Sequence, residues 1–115
     1  MPFLLLKNKL NKSMNLSQND WKTQLTSDTN TIILDVRTDE EFNEGHIPDA
    51  LHIDISKGQH FINELENLDA TKKYYVYCKS GGRSERACAV MNQMGFDHTY
   101  NLMGGIMQWD GEVVR

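Results

Sequence analysis

Short apolar runs and segments of helical periodicity alternate along the chain. Residues 31–36 form an apolar, β-branched run that is typical of a buried parallel strand. Residues 74–77 are three tyrosines and a valine, which are residue types enriched in strands. Strands that alternate with helices predict an α/β fold with a mainly parallel sheet. Functional sites in such folds gather beyond the carboxyl ends of the strands, so the residues that follow these two runs are candidates.

The remaining elements follow from periodicity and from capping signals. Two further strands and four helices are predicted at residues 51–55 and 98–102, and at residues 17–25, 38–44, 58–68 and 84–94. Ser17 and Thr38 each precede an acidic residue by three positions, which is the spacing of a capping box. Gly45 and Gly95 are expected to end their helices. Trp21 is expected in the core, where large aromatic side chains contribute most.

Length and charge exclude several functions. The chain has 115 residues, which fits one domain. A net charge of −4 argues against nucleic acid as the main partner, because phosphate binding needs a basic face. No stretch approaches the roughly 20 apolar residues that a membrane span requires. Two cysteines and four scattered histidines indicate neither a disulfide framework nor a zinc site. We therefore expect a cytoplasmic protein with no membrane, nucleic-acid or metal partner.

The first residues only partly resemble a secretory signal. Leu4, Leu5 and Leu6 form an apolar run, but no basic residue precedes it and Lys7 interrupts it. We predict that residues 1–13 are an N-terminal extension and that residues 14–115 form the domain.

The loop after the strand at residues 74–77 combines a nucleophile with positive charge. Cys78 follows the strand directly, and Gly81 and Gly82 allow the backbone to turn its N–H groups inward. Lys79 and Arg83 add two positive charges, and the next helix adds the positive end of its dipole. Such surroundings lower the pKa of a thiol and favour the nucleophilic thiolate. The same loop would bind an anionic substrate.

Other cysteine and hydroxyl side chains are assigned smaller roles. Ser80 and Ser84 are each expected to donate a hydroxyl hydrogen bond or to cap the helix. Cys88 lies within the helix that follows, where its side chain should point away from the loop into the core.

Five segments of the chain resemble the motifs of single-domain rhodaneses, in the same order and spacing. Residues 78–84 are similar to the active-site loop of that family. The other four are Leu34-Asp35-Val36-Arg37, residues 41–50 (EFNEGHIPDA), Gly95-Phe96, and residues 102–109 with their two glycines and closing tryptophan. The resemblance covers about residues 15–112.

The resemblance implies a fold and a reaction. The fold is a five-stranded, mainly parallel sheet flanked by helices on both faces. In the reaction, Cys78 takes a sulfane sulfur from a small anionic donor such as thiosulfate and holds it as a persulfide. Cyanide, a thiol or a protein then accepts the sulfur. No metal or organic cofactor is implied.

Each residue near Cys78 has an expected position in such a site. Backbone N–H groups from Lys79 to Ser84 are expected to cradle the persulfide, while Lys79 and Arg83 attract the donor. Asp35 and Arg37 lie at a neighbouring strand end and border the cleft, although a structural ion pair is the favoured interpretation for them.

Two other functions remain open. Cysteine phosphatases and arsenate reductases also use a loop between a cysteine and an arginine, but theirs has five intervening residues, whereas four separate Cys78 from Arg83. Rhodanese-like domains can also serve as non-catalytic binding modules, generally without the cysteine. The physiological donor, the acceptor and the oligomeric state are not determined by the sequence.

Overall fold

Residues 13–115 contain one five-stranded sheet in which all neighbouring strands are parallel. The structure is a computed structural model that describes residues 13–115, so residues 1–12 of the predicted extension lie outside the described residues. The strands are β1 (Ser13–Leu16), β2 (Thr31–Asp35), β3 (Leu51–His52), β4 (Lys73–Tyr77) and β5 (His98–Leu102). Their order across the sheet is β1-β5-β4-β2-β3. The predicted fold class is confirmed.

Four α-helices connect the strands. They are α1 (Gln18–Ser27), α2 (Asp39–Glu44), α3 (Gln59–Glu66) and α4 (Gly82–Gln93). The Ser17 hydroxyl accepts a hydrogen bond from the Asp20 amide, and Thr38 and Glu41 form a complete capping box at the start of α2. Both predicted helix starts are therefore confirmed.

Three elements differ from the sequence-based expectation. β1 was not predicted, because it is a four-residue edge strand that pairs with β5, far along the chain. β3 is only two residues long, since the chain leaves the strand and turns into a 3₁₀ helix at residues 55–57. The Asp54 carboxylate caps this turn by accepting a hydrogen bond from the Ser56 amide. Helix α4 begins at Gly82 rather than at residue 84, because Gly81 has a φ of 110° and turns the chain directly into the helix.

The sheet separates two hydrophobic clusters, and β4 contributes alternate side chains to each. Tyr74, Val76 and Cys78 face the cluster formed with α3 and α4. Tyr75 and Tyr77 face the cluster that contains Trp21 of α1. This period of two is the normal geometry of a strand, and it directs the Cys78 side chain toward the helix that follows it.

We predict that Trp21→Ala will destabilise the protein strongly. The Trp21 ring is fully buried, packs edge-on against three other aromatic rings and donates its N–H to the Tyr100 carbonyl. Removing a buried tryptophan costs about 3–5 kcal/mol of unfolding free energy. Urea denaturation followed by circular dichroism measures this loss. Trp109→Ala, at a partly exposed position of the same cluster, should cost clearly less, and equal losses would contradict the prediction.

Candidate active site

The carboxyl ends of β2 and β4 meet at one edge of the sheet. Asp35, the last residue of β2, is in register with Tyr77, the last residue of β4. Cys78 therefore leaves the sheet next to the Asp35–Arg37 segment, as predicted. The loop from Cys78 to Gly82 crosses this edge and leads into α4.

Hydrogen-bond donors of the loop converge on the sulfur of Cys78. The Gly81 amide nitrogen lies 3.1 Å from Sγ, and the amide and hydroxyl of Ser84 lie 3.4 and 3.3 Å from it. The inward turn of the Gly81 amide depends on its positive φ, which glycine adopts without strain. The thiol is 1% exposed, so these donors replace water around it. Of the amides from Lys79 to Ser84 that were expected to cradle a persulfide, those of Gly81 and Ser84 lie against the thiol sulfur. Their role in holding a persulfide remains a prediction.

These donors determine the ionisation of the thiol. Burial alone acts to raise the pKa of Cys78, because the thiolate is poorly solvated inside the protein. Hydrogen bonds from the Ser84 hydroxyl and from the Ser84, Gly81 and Ser80 amides together outweigh this effect. The pKa of Cys78 therefore lies below that of an ordinary cysteine. A lowered pKa means that more of the thiol is nucleophilic thiolate at neutral pH.

The Gly104-Gly105 turn and the two residues after it pack against the backbone of the Cys78 loop. The Ile106 amide donates to the Cys78 carbonyl and the Met107 amide donates to the Lys79 carbonyl, both at 3.0 Å. A Cβ atom at Gly105 would overlap the Lys79 backbone, so this approach requires glycine. The sequence showed the two glycines as a motif, but it did not show that they contact the loop.

Arg83 links the loop to helix α2. Its guanidinium forms two parallel hydrogen bonds with the Glu41 carboxylate, at 2.7 and 2.9 Å. Arg83, with the Thr38 amide and hydroxyl, lowers the pKa of Glu41 to about 2 against the opposing effect of burial. Glu41 thus completes the capping box and holds Arg83 at once. Lys79 is exposed on the loop.

Asp35 and Arg37 form a buried ion pair at 2.7 Å. Arg37 also donates to the Gly45 carbonyl at 2.6 Å and lies over the Tyr77 ring. These contacts connect the end of β2 to the turn after α2. They are the contacts of a structural ion pair beside the Cys78 loop, and a direct role in binding remains a prediction.

A cavity of about 250 Å³ opens beside the loop. Its lining residues come from β1, the loop, α4, β5 and the turn after β5: Asn15, Ser80, Gly81, Glu85, Asn101, Met103 and Gly104. Sequence reasoning missed Asn15 and Asn101. For Asn101 the available signal was an asparagine within the predicted strand at residues 98–102, since a polar side chain on a buried strand needs hydrogen-bond partners. Asn15 gave no such signal, because it lies in β1, which was not predicted.

The described part of the chain contains neither a cluster of metal-ligating side chains nor a helix that could span a membrane. Within residues 13–115, no group of three or more histidine, cysteine or acidic side chains could hold a metal ion. No helix in this range is long and apolar enough to cross a membrane.

Cys88 is 1% exposed and belongs to the cluster beneath α4, as predicted.

A family model described as the rhodanese-like domain matches residues 17–112. The chain belongs to this family. The rhodanese-like domain is 40% identical over 91 residues to the putative sulfurtransferase YtwF of Bacillus subtilis, which covers 79% of this chain and 84% of that protein. It is 37% identical over 89 residues to a sulfurtransferase of Allochromatium vinosum, which covers 76% of this chain and 79% of that protein.

Structural similarity extends over nearly the whole rhodanese-like domain. The crystal structure of SSP1007 from Staphylococcus saprophyticus has a TM-score of 0.75 at 27% identity and covers 89% of this chain and 99% of that one. Some relatives carry a different name. A tRNA uridine(34) hydroxylase of Pelagibacter ubique is 30% identical over 106 residues, or 92% of this chain, but this chain spans only 35% of its length.

We predict that Ser84→Ala will raise the pKa of the Cys78 thiol. The variant loses the hydroxyl that donates to Sγ but retains the amide. Alkylation of Cys78 by iodoacetamide below the pKa should slow by about fivefold, the effect of one hydrogen bond of about 1 kcal/mol. Ser80→Ala is the matched control, because the Ser80 side chain is exposed and only its amide affects the thiol. An equal change in both variants would contradict the prediction.

We also predict a pH-dependent loss of stability in Glu41→Gln. The pKa of Glu41 is about 2 in the folded protein and near 4.5 in an unfolded chain, so the carboxylate stabilises the fold above pH 4.5. This contribution disappears as the pH falls from 4.5 toward 2. Urea denaturation should show the variant less stable by about 1 kcal/mol at pH 7. The difference should shrink below pH 4.5 and vanish near pH 2, and a constant difference would contradict this assignment.

Proposed function

We propose that this protein is a sulfurtransferase that carries sulfur as a persulfide on Cys78. The observation that carries the proposal is the convergence of the Gly81 and Ser84 donors on one buried sulfur at the carboxyl edge of the sheet. Oriented donors of this kind stabilise a sulfur anion without having to reorganise during the reaction. The relatives named sulfurtransferase support the same assignment.

The first half-reaction is a displacement at sulfur. The Cys78 thiolate attacks the outer sulfur of thiosulfate, a new S–S bond forms, and the S–S bond of the donor breaks. The bonding electron pair leaves with sulfite, and Cys78 becomes a persulfide. In the second half-reaction, an acceptor such as cyanide or a thiol attacks the outer sulfur, and the electron pair returns to the Cys78 thiolate. No other oxidant or reductant is consumed.

Some loop residues stabilise the sulfur of Cys78, and others attract the anionic sulfur donor. The Gly81 and Ser84 donors stabilise the negative sulfur before and after transfer. Lys79 is exposed and attracts the anionic end of the donor. Arg83 adds its charge from the fixed position that Glu41 gives it. Because Glu41 already occupies two guanidinium N–H groups, Lys79 has the greater freedom to follow a substrate.

The length of the loop argues against an oxyanion-binding phosphatase. Only four residues separate Cys78 from Arg83, and position 84, where a longer loop would have its arginine, is Ser84. Ser84 instead turns both of its donors toward the sulfur. A purely binding module would not require a cysteine surrounded in this way.

The proposed acceptor is a small thiophile, a thiol or a protein. The absence of a nucleic-acid partner and a cytoplasmic location remain predictions.

We predict that incubation with thiosulfate will increase the mass of the intact protein by about 32 Da, the mass of one sulfur atom. The gain should map to the peptide that contains Cys78, and cyanide should remove it with formation of thiocyanate. Cys78→Ser should abolish both effects while keeping the fold. Cys88→Ser is the matched control and should retain them, because Cys88 lies in the core. Hydrolysis of p-nitrophenyl phosphate without thiocyanate formation would contradict the proposal.

A further inference from the structure

The Ser84 hydroxyl has more acceptors than it has protons. Its oxygen lies 3.3 Å from Cys78 Sγ, 3.2 Å from the Gly81 carbonyl and 2.5 Å from Oδ1 of Asn101. A serine hydroxyl donates only one hydrogen bond at a time. The nearest acceptor is therefore not the nucleophile but a side chain of β5 that is 3% exposed.

The orientation of the Asn101 amide is fixed by its surroundings. Its Nδ2 donates to the Gly81 carbonyl at 3.2 Å and to Oδ1 of Asn15 at 2.8 Å. Asn15 in turn donates to the Glu85 carboxylate at 3.2 Å. Because a backbone carbonyl and a carboxylate can only accept, both amides must turn their nitrogen atoms toward them. The Asn101 carbonyl is consequently directed at Ser84.

We propose that Asn101 is a positioning residue whose side-chain carbonyl competes with the Cys78 sulfur for the single proton of the Ser84 hydroxyl. When Cys78 is a thiol, the Ser84 hydroxyl donates to Asn101, and the thiol S–H donates to the Ser84 oxygen. When Cys78 loses its proton to solvent, the hydroxyl rotates and donates to the thiolate. The Asn101 carbonyl then faces the Ser84 oxygen without a proton between them. Asn101 therefore stabilises the thiol relative to the thiolate.

This competition opposes the donors that favour the thiolate. Charge-assisted hydrogen bonds are stronger than neutral ones, so the sulfur still receives the hydroxyl once it is ionised. The loss of the Ser84–Asn101 bond reduces the net gain. Asn101 thereby keeps the thiol from becoming too acidic.

The charged groups around the loop do not set the direction of the Ser84 hydroxyl. Arg83 and Lys79 favour the thiolate, and Glu85 on α4 opposes it. Arg83 is paired with Glu41 from α2, and Asp35 is paired with Arg37 from β2. None of these groups is among the hydrogen-bond partners of the Ser84 hydroxyl, so its direction is decided by Asn101, the Gly81 carbonyl and the sulfur.

The role of Asn101 deepens the proposed sulfurtransferase function, and its benefit to the protein rests on that function. The nucleophilicity of a thiolate falls as its pKa falls, and attack on a donor sulfur is fastest when the thiol pKa is near the ambient pH. A residue that limits the acidity of Cys78 preserves its reactivity toward sulfane sulfur. The hydrogen-bond competition itself can be measured without any sulfur donor.

The test is a double-mutant cycle in the full chain with Asn101→Leu, Ser84→Ala and the combined variant. The rate of iodoacetamide alkylation at Cys78 is measured across pH by mass spectrometry of tryptic peptides. Cleavage after Lys79, Arg83 and Arg86 separates Cys78 from Cys88. Circular dichroism confirms the fold of each variant.

Asn101→Leu should speed alkylation below the pKa by about fivefold, which corresponds to about 1 kcal/mol for one hydrogen bond. In the Ser84→Ala background the same substitution should change the rate by less than about twofold, because no hydroxyl remains to be shared. A slower or unchanged rate in Asn101→Leu, or an equal acceleration without the hydroxyl, would overturn the inference.

Asn15→Ala provides a second route if Asn101→Leu does not fold. Asn15 is exposed, and its removal deprives the Asn101 amide of one of its two acceptors. A smaller acceleration in the same direction is expected, and it too should vanish in Ser84→Ala. An unchanged rate in Asn15→Ala would then overturn the inference. Because alkylation requires no donor, absence of a persulfide in the thiosulfate experiment would refute the proposed function and leave this inference standing.

Discussion

The hydrogen bonds that meet at the Cys78 sulfur are the interaction around which the rest of this fold is arranged. A buried thiolate is unfavourable unless several donors replace its lost hydration. The Gly81 amide and both donors of Ser84 meet that requirement only when the loop is held within tenths of an ångström. Strand β4 fixes where the loop begins and helix α4 fixes where it ends. The segment that begins with the Gly104-Gly105 turn holds the backbone of Cys78 and Lys79 between them.

Charge pairs around the loop act mainly to hold it in place. Arg83 has its charge balanced by Glu41, and Asp35 is balanced by Arg37, so both pairs connect the site to the segment around α2. The local excess of positive charge that the sequence shows is therefore smaller in the folded protein. The lowered pKa of Cys78 comes from short-range hydrogen bonds that Ser84, Gly81 and Ser80 donate to the sulfur.

Much of the fold and the centre of the site could be predicted from the sequence. β2 and β4 were recognisable because strands buried on both faces are continuously apolar, and α2 because its capping box is a local signal. β1 could not be recognised, since a short edge strand is defined by its distant partner β5. Asn101 was missed for a similar reason: its partners lie far from it in the chain, Asn15 in β1 and Gly81 and Ser84 at the start of α4.

The sequence by itself determined the α/β alternation, the position of Cys78 at a strand end and the glycines that let the loop curl. These features depend on interactions between residues close in the chain. Only the tertiary structure decided which donors reach the sulfur, that Glu41 holds Arg83, and that Asn101 faces the Ser84 hydroxyl. Hydrogen bonds depend on distance and direction within a fraction of an ångström, and packing between distant segments alone sets that geometry.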